Sequence, residues 1–159
     1  MSGDGPAPQF VEEFRFYADV DVVMVGPGPF GQRAVATITG GELSGERLEG
    51  SLVGAGADWG LLGPDGFLRV DVRTTLRTVD DAHIYFQYSG LLEMTPDFLA
   101  LNSGEEVATN FGDQYYFTVF ALETGDERYS WVNHTMFVGQ GRFLPGPRVE
   151  YRVYRVVNG

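Results

Sequence analysis

Asp71 and Arg73 stand two residues apart in the run Asp71-Val72-Arg73-Thr74-Thr75-Leu76. In an extended strand that spacing puts both side chains on one face. There a carboxylate can hold a guanidinium and aim it at an oxygen-rich ligand. A guanidinium held in this way would stabilise a carbonyl or enolate oxygen, and a phenol such as Tyr88 would donate or relay a proton. Trp59, Tyr116, Phe117 and Trp131 are the aromatic candidates for the wall of an apolar pocket around such a ligand. Asn133 is a further polar contact; its neighbour His134 points to the opposite face of a strand, so at most one of the two reaches the same cavity.

Other chemistries find less support. Cysteine is absent, which excludes disulfides, thiolate metal sites and a cysteine nucleophile. All eleven basic residues are arginine, so no lysine is present for a Schiff base. Such a composition fits a GC-rich, actinobacterial type of source. The only histidines, His83 and His134, have no metal-site spacing around them, and neither a metal nor any other cofactor is expected. Asp80-Asp81 reads as a turn, since the alternating oxygen ligands of a calcium loop do not follow. Gly26-Pro27-Gly28-Pro29-Phe30-Gly31 has the glycines of a phosphate loop but no helix after it, and two prolines remove amides from it, so it reads as a hairpin connection. No Gly-x-Ser-x-Gly elbow occurs. Asn133-His134-Thr135 matches a glycosylation acceptor by accident of sequence. A net charge of −11 opposes binding to a phosphate backbone or an anionic lipid surface, so neither nucleic acid nor membrane is an expected partner.

These residues must be positioned by strands. Glycine (22 residues) and aromatic residues (14%) are both abundant, and β-branched stretches alternate with turn chemistry such as Gly40-Gly41, Gly63-Pro64-Asp65-Gly66 and Pro145-Gly146-Pro147. The pattern predicts strands at about Glu13–Val25, Arg33–Gly40, Arg47–Gly54, Gly66–Thr78, Ala82–Glu93, Gln114–Glu123, Arg128–Gly139 and Arg148–Val157. Eight short strands with no sustained helical stripe point to an all-β antiparallel closed barrel or a sandwich. The one helical candidate is Thr95–Ala108, interrupted by Gly104. Within Phe67–Thr78 the apolar residues Leu68, Val70, Val72 and Leu76 share one face, while Arg69, Asp71, Arg73, Thr75 and Arg77 form a charged row on the other. Periodicity alone allows that row to be a solvated exterior or a cavity lining. Residues 1–9 read as a disordered tail and 10–159 as one domain, with no signal peptide and no apolar run long enough for a membrane helix; a cytoplasmic location is expected.

Several motifs taken together, Gly56-Ala57-Asp58-Trp59, Asp71-Val72-Arg73-Thr74-Thr75-Leu76, Ile84-Tyr85-Phe86-Gln87-Tyr88-Ser89-Gly90 and Tyr129-Ser130-Trp131-Val132-Asn133, resemble a bacterial family of small β-barrel proteins labelled as a domain of unknown function. The resemblance runs from about Phe14 to Val156. It implies a calycin-like barrel without a known cofactor, and no assigned activity. It also implies that Asp71 and Arg73, at signature positions with Tyr88, Trp59, Trp131 and Asn133, line a cavity. Against the family pattern, Phe117 and Ala121 stand where basic residues are usual, and His134 where arginine is frequent. Should this segment face the cavity, these replacements imply a more hydrophobic ligand than that of a typical relative.

The resulting expectation is a cofactor-independent enzyme that encloses a largely hydrophobic, oxygen-bearing metabolite and promotes an isomerisation, cyclisation or lyase step, with a cyclase of natural-product biosynthesis as a special case. The alternative is a non-enzymatic barrel that carries or senses a hydrophobic small molecule. A third reading is an oligomer, such as a homodimer, built through exterior aromatic residues.

Overall fold

The structure is a computed structural model, in which residues 3–159 are described. Met1 and Ser2, the first two residues of the expected tail, lie outside the described residues; residues 3–8 are irregular and exposed. Eight strands follow: β1 (Gln9–Gly28), β2 (Gly31–Gly45), β3 (Gly50–Leu62), β4 (Phe67–Thr78), β5 (His83–Glu93), β6 (Tyr116–Glu123), β7 (Phe137–Leu144) and β8 (Arg148–Val157). Each pairs antiparallel with its neighbour in sequence, and β8 pairs with β1, which closes the ring into a barrel. Closure leaves no free sheet edge, and the inward face of every strand becomes core.

Alternation decides what fills the barrel. Leu68, Val70, Val72 and Leu76 of β4, and Tyr116, Phe120 and Leu122 of β6, are buried, while their odd neighbours face outward. The middle of the lumen is an aromatic plug: Phe16 stacks on Tyr151 at 5.0 Å and Tyr88 on Phe120 at 4.4 Å. Such pairs contribute about 0.5–1.5 kcal/mol each beyond their burial. Gly90 is required beside this plug, because a Cβ there would run into the backbone of Phe117 and Thr118 on β6.

The two ends are closed differently. Helix α1 (Pro96–Asn102) starts at Thr95, whose hydroxyl accepts from the Phe98 N–H at 3.3 Å, and it inserts Phe98 over one mouth. It is shorter than the expected Thr95–Ala108, since the chain leaves the helix at Ser103 and Gly104 takes φ +89°. At the opposite mouth, a 3-10 helix at Glu127–His134 replaces the first half of the strand expected over Arg128–Gly139. The Asp126 side chain caps its start, accepting from the Arg128 N–H at 2.9 Å. Below it Glu13, almost fully buried, receives Arg155 Nη1 at 2.7 Å and Arg47 Nε at 2.8 Å.

Candidate functional site

Beneath α1 the aromatic plug stops short of the barrel mouth and leaves a pocket of about 350 Å3, inside the ~300–1,000 Å3 range of small-molecule sites. Its side walls are Ala34 and Ala36 of β2, Leu62 of β3, Leu68 of β4 and Leu92 of β5, and Phe98 and Leu101 roof it. The space exists because the inward positions of β2 and β3 here are small: Ala34, Ala36 and Gly60 stand where bulkier side chains would fill the lumen.

Asp58 of β3 is the carboxylate in this apolar wall. Loss of hydration in the pocket raises its pKa to about 6, with the Asp71 charge adding to the rise, while the Asp71 N–H and the charge of Arg33 partly oppose it. The Asp71 N–H donates to Asp58 Oδ1 at 2.9 Å. It is free to do so because the β3–β4 ladder pairs Asp58 with Val72 and Leu61 with Arg69 and is open between them. A carboxyl group poised near 6 exchanges a proton readily at neutral pH, the property a general base or acid requires.

Tyr116 also lines the pocket. Its hydroxyl is hydrogen-bonded to that of Tyr151. Burial raises the pKa of Tyr116, Tyr151 and Tyr88, with the neighbouring Asp58 charge acting in the same direction on each. All three therefore stay protonated phenols, able to donate a hydrogen bond where negative charge develops.

The residues expected from sequence are not brought together at one point. Asp71 and Arg73 lie on the outer face of β4, exposed, which corrects the expectation that Arg73 points into the barrel; the apolar even face of β4 takes the lumen. Arg73 instead covers the Trp59 ring, 4.7 Å from its centroid, on the exterior. Phe117 is also outside, since Tyr116 and Phe120 occupy the inward parity of β6. Trp131 packs at the far end against Phe137 and under Arg47, 3.8 Å from its ring centroid. Asn133 pins a turn: its Oδ1 accepts from the Thr124 N–H at 2.8 Å and its Nδ2 donates to the Thr124 carbonyl at 3.0 Å. Tyr88 faces the lumen but sits in the plug against Phe120, and only Tyr116 of the set lines the pocket.

Asp58 escaped the sequence reading because the glycine-rich stretch Gly54–Gly60 looks like a strand break, whereas β3 runs through it to Leu62. The signal was its parity: Asp58 shares a face with Gly60 and Leu62, both of the pocket wall. Among the described residues, no group of three or more His, Asp or Glu side chains is placed to hold a metal ion, and no helix is long and apolar enough to cross a membrane.

Comparison with known proteins gives a consistent relationship. The family described as "Protein of unknown function (DUF3237)" matches residues 6–156. A UPF0311 protein of Clostridium acetobutylicum is 32% identical over 140 residues, which cover 86% of this chain and 87% of that protein. The solved structure of a conserved protein of unknown function from Rhodopseudomonas palustris superposes with a TM-score of 0.86 at 28% identity, covering 96% of this chain and 99% of that one. A β-barrel-like protein of Acinetobacter baumannii gives 0.81 at 30% identity over 98% and 100% of the two chains. A structure described as an enzyme from Penicillium herquei gives 0.65 at 19% identity over 99% and 98% of the chains, a likeness of fold.

Proposed function

This chain belongs to the DUF3237 family of proteins of unknown function, and from that premise we propose that it is a cofactor-independent enzyme that encloses a largely hydrophobic, oxygen-bearing small molecule and catalyses a proton-transfer reaction: an isomerisation, cyclisation or lyase step. The observation that carries this reading is Asp58, a carboxyl group with a pKa of about 6 in the wall of a largely apolar pocket that the Tyr116 phenol also lines. Burying a carboxylate costs folding energy, and a carboxyl whose pKa is raised toward neutrality is suited to acid-base catalysis.

In this reading Asp58 takes a proton from an O–H, or from a C–H next to a carbonyl, of the substrate. The electron pair left behind moves onto oxygen or closes a bond to an electrophilic carbon, and Asp58 returns the proton to the product or to the leaving group. Tyr116, backed by Tyr151, donates a hydrogen bond to the oxygen on which charge accumulates. Asp71 contributes through its backbone N–H, which fixes Asp58 in place, and the apolar walls with α1 exclude water.

The test is a screen of enolisable and hydroxylated polycyclic compounds for turnover, with Asp58→Asn and Tyr116→Phe as controls. Turnover lowered ~100-fold or more by Asp58→Asn, with ligand affinity kept within a few fold, is the expected result. Binding without turnover, equal in wild type and Asp58→Asn, would instead identify a carrier or sensor.

A further inference from the structure

The pocket contains negative charge and no positive charge. Asp58 lines its wall and Asp21 its rim, and among the described residues no arginine lines it. Lysine cannot supply the missing cation, because the chain has none. The arginine with influence on Asp58 is Arg33, whose Nη1 is engaged by the Trp59 carbonyl at 2.7 Å. The other charged or titratable groups coupled to Asp58 are Asp71, which presents its N–H, and the neutral phenols Tyr116, Tyr151 and Tyr88.

Resting on the enzymatic reading above, we propose that this pocket takes an uncharged, largely apolar molecule bearing a hydroxyl or enolisable hydrogen, and rejects carboxylates and phosphates. An anionic group brought into the pocket would lose its hydration beside Asp58 without gaining a counter-ion, and unpaired buried charge is among the costliest arrangements in a protein. A neutral hydroxyl loses little. It donates to the Asp58 carboxylate and accepts from Tyr116, so each of these two groups gains a further partner. Net charge of the same sign over the whole molecule, −11, adds a long-range bias against anions.

The inference also fixes the pH response. For a neutral ligand, displacement of water favours the protonated Asp58 while donation from its hydroxyl favours the carboxylate, so its affinity changes little as pH falls through about 6, whereas an anionic ligand gains affinity as Asp58 takes up its proton. A cationic ligand would favour the ionised form and show the opposite slope.

The experiment is calorimetric titration of the full chain with three two-ring probes of matched size, naphthol, naphthoic acid and naphthylmethylamine, above and below the Asp58 transition. Wild type is compared with Asp58→Asn and with Ala36→Met, which narrows the pocket, after circular dichroism has shown each variant to be folded. Naphthol should bind at least about tenfold more tightly than naphthoate near neutral pH. Asp58→Asn should narrow that gap, and Ala36→Met should weaken naphthol. Naphthoate binding as tightly as naphthol, or the amine binding most tightly and losing its advantage in Asp58→Asn, overturns charge selection while leaving the pocket as a ligand site. Failure of all three probes to bind, or naphthol binding untouched by Ala36→Met, overturns both this inference and the pocket reading beneath it.

Discussion

The Asp71 N–H donates to Asp58 Oδ1 across 2.9 Å, joining an exposed position of β4 to the carboxylate of the pocket. The two aspartates divide the work: Asp71 turns its side chain to solvent and lends its backbone to the lumen, while Asp58 turns inward and surrenders hydration. Their side-chain charges also oppose each other, which adds to the upward pressure on the Asp58 pKa.

Asp58 makes stability depend on pH in an unusual sense. Its pKa in the folded protein is about 6 against an ordinary value of 3.8, so the folded state holds the proton over a window in which the unfolded chain has lost it. The contribution is fully present below about 4 and is lost as pH rises to about 6 and beyond, an effect of up to about 3 kcal/mol for a shift of about two units. Asp58→Asn, which still accepts from the Asp71 N–H, should therefore raise the denaturant midpoint at pH above the transition and change it little in acid.

Tyr116 and Tyr151 should be energetically coupled. Each single Phe substitution leaves the partner hydroxyl short of a hydrogen bond, at a cost of about 1–2 kcal/mol, and the double substitution should cost less than the sum. Urea unfolding of the four proteins in the cycle measures the coupling; strict additivity would show that the hydroxyls do not depend on each other. Because burial holds all three phenols above their usual pKa, tyrosinate absorbance from them should appear only as the protein unfolds in alkali.

Glu13 should matter more to stability than any exterior acid. Its side chain is only 5% accessible and accepts from both Arg47 and Arg155. Glu13→Ala removes the shared acceptor, but both guanidiniums retain access to water, so a loss of about 1–3 kcal/mol is expected rather than the larger value for a fully buried charge. The loss should be visible as a lowered melting temperature, with pocket binding at the opposite end of the barrel unchanged.

Arg73 should be dispensable to the pocket. Its guanidinium covers the outer face of Trp59, an exposed contact of about 0.5–1 kcal/mol. Arg73→Ala should shift stability by no more than that and leave the affinity for apolar probes unaltered, while the tryptophan fluorescence responds to the exposed ring. A loss of ligand affinity of tenfold or more would return the exterior row to the site.

The all-β class, the eight strands and the grouping of residues by face were legible in the chain, because alternation and turn residues are local properties. Leu68 with Val70, and Asp71 with Arg73, were assigned to opposite faces of one strand, and they are found so. The interruption at Tyr129–Asn133 was not legible, because aromatic and β-branched residues there suit a strand, and the short 3-10 turns are selected by the need to cover the far mouth with Trp131 and Val132.

Local sequence dictates parity, the set of side chains that must point the same way; closure of the barrel dictates which set points inward and where the lumen is left empty. Ring closure makes that choice, since only one face of each strand can supply the core, and the apolar face of β4 wins over the charged row. The place of Asp58 depends on more distant terms still: the register shift of β3 between Val53 and Ala57, the small residues of β2 across from it, and the N–H that β4 leaves unpaired. No local window of sequence contains all three, and together they turn one aspartate in a glycine-rich stretch into a desolvated carboxylate of the pocket wall.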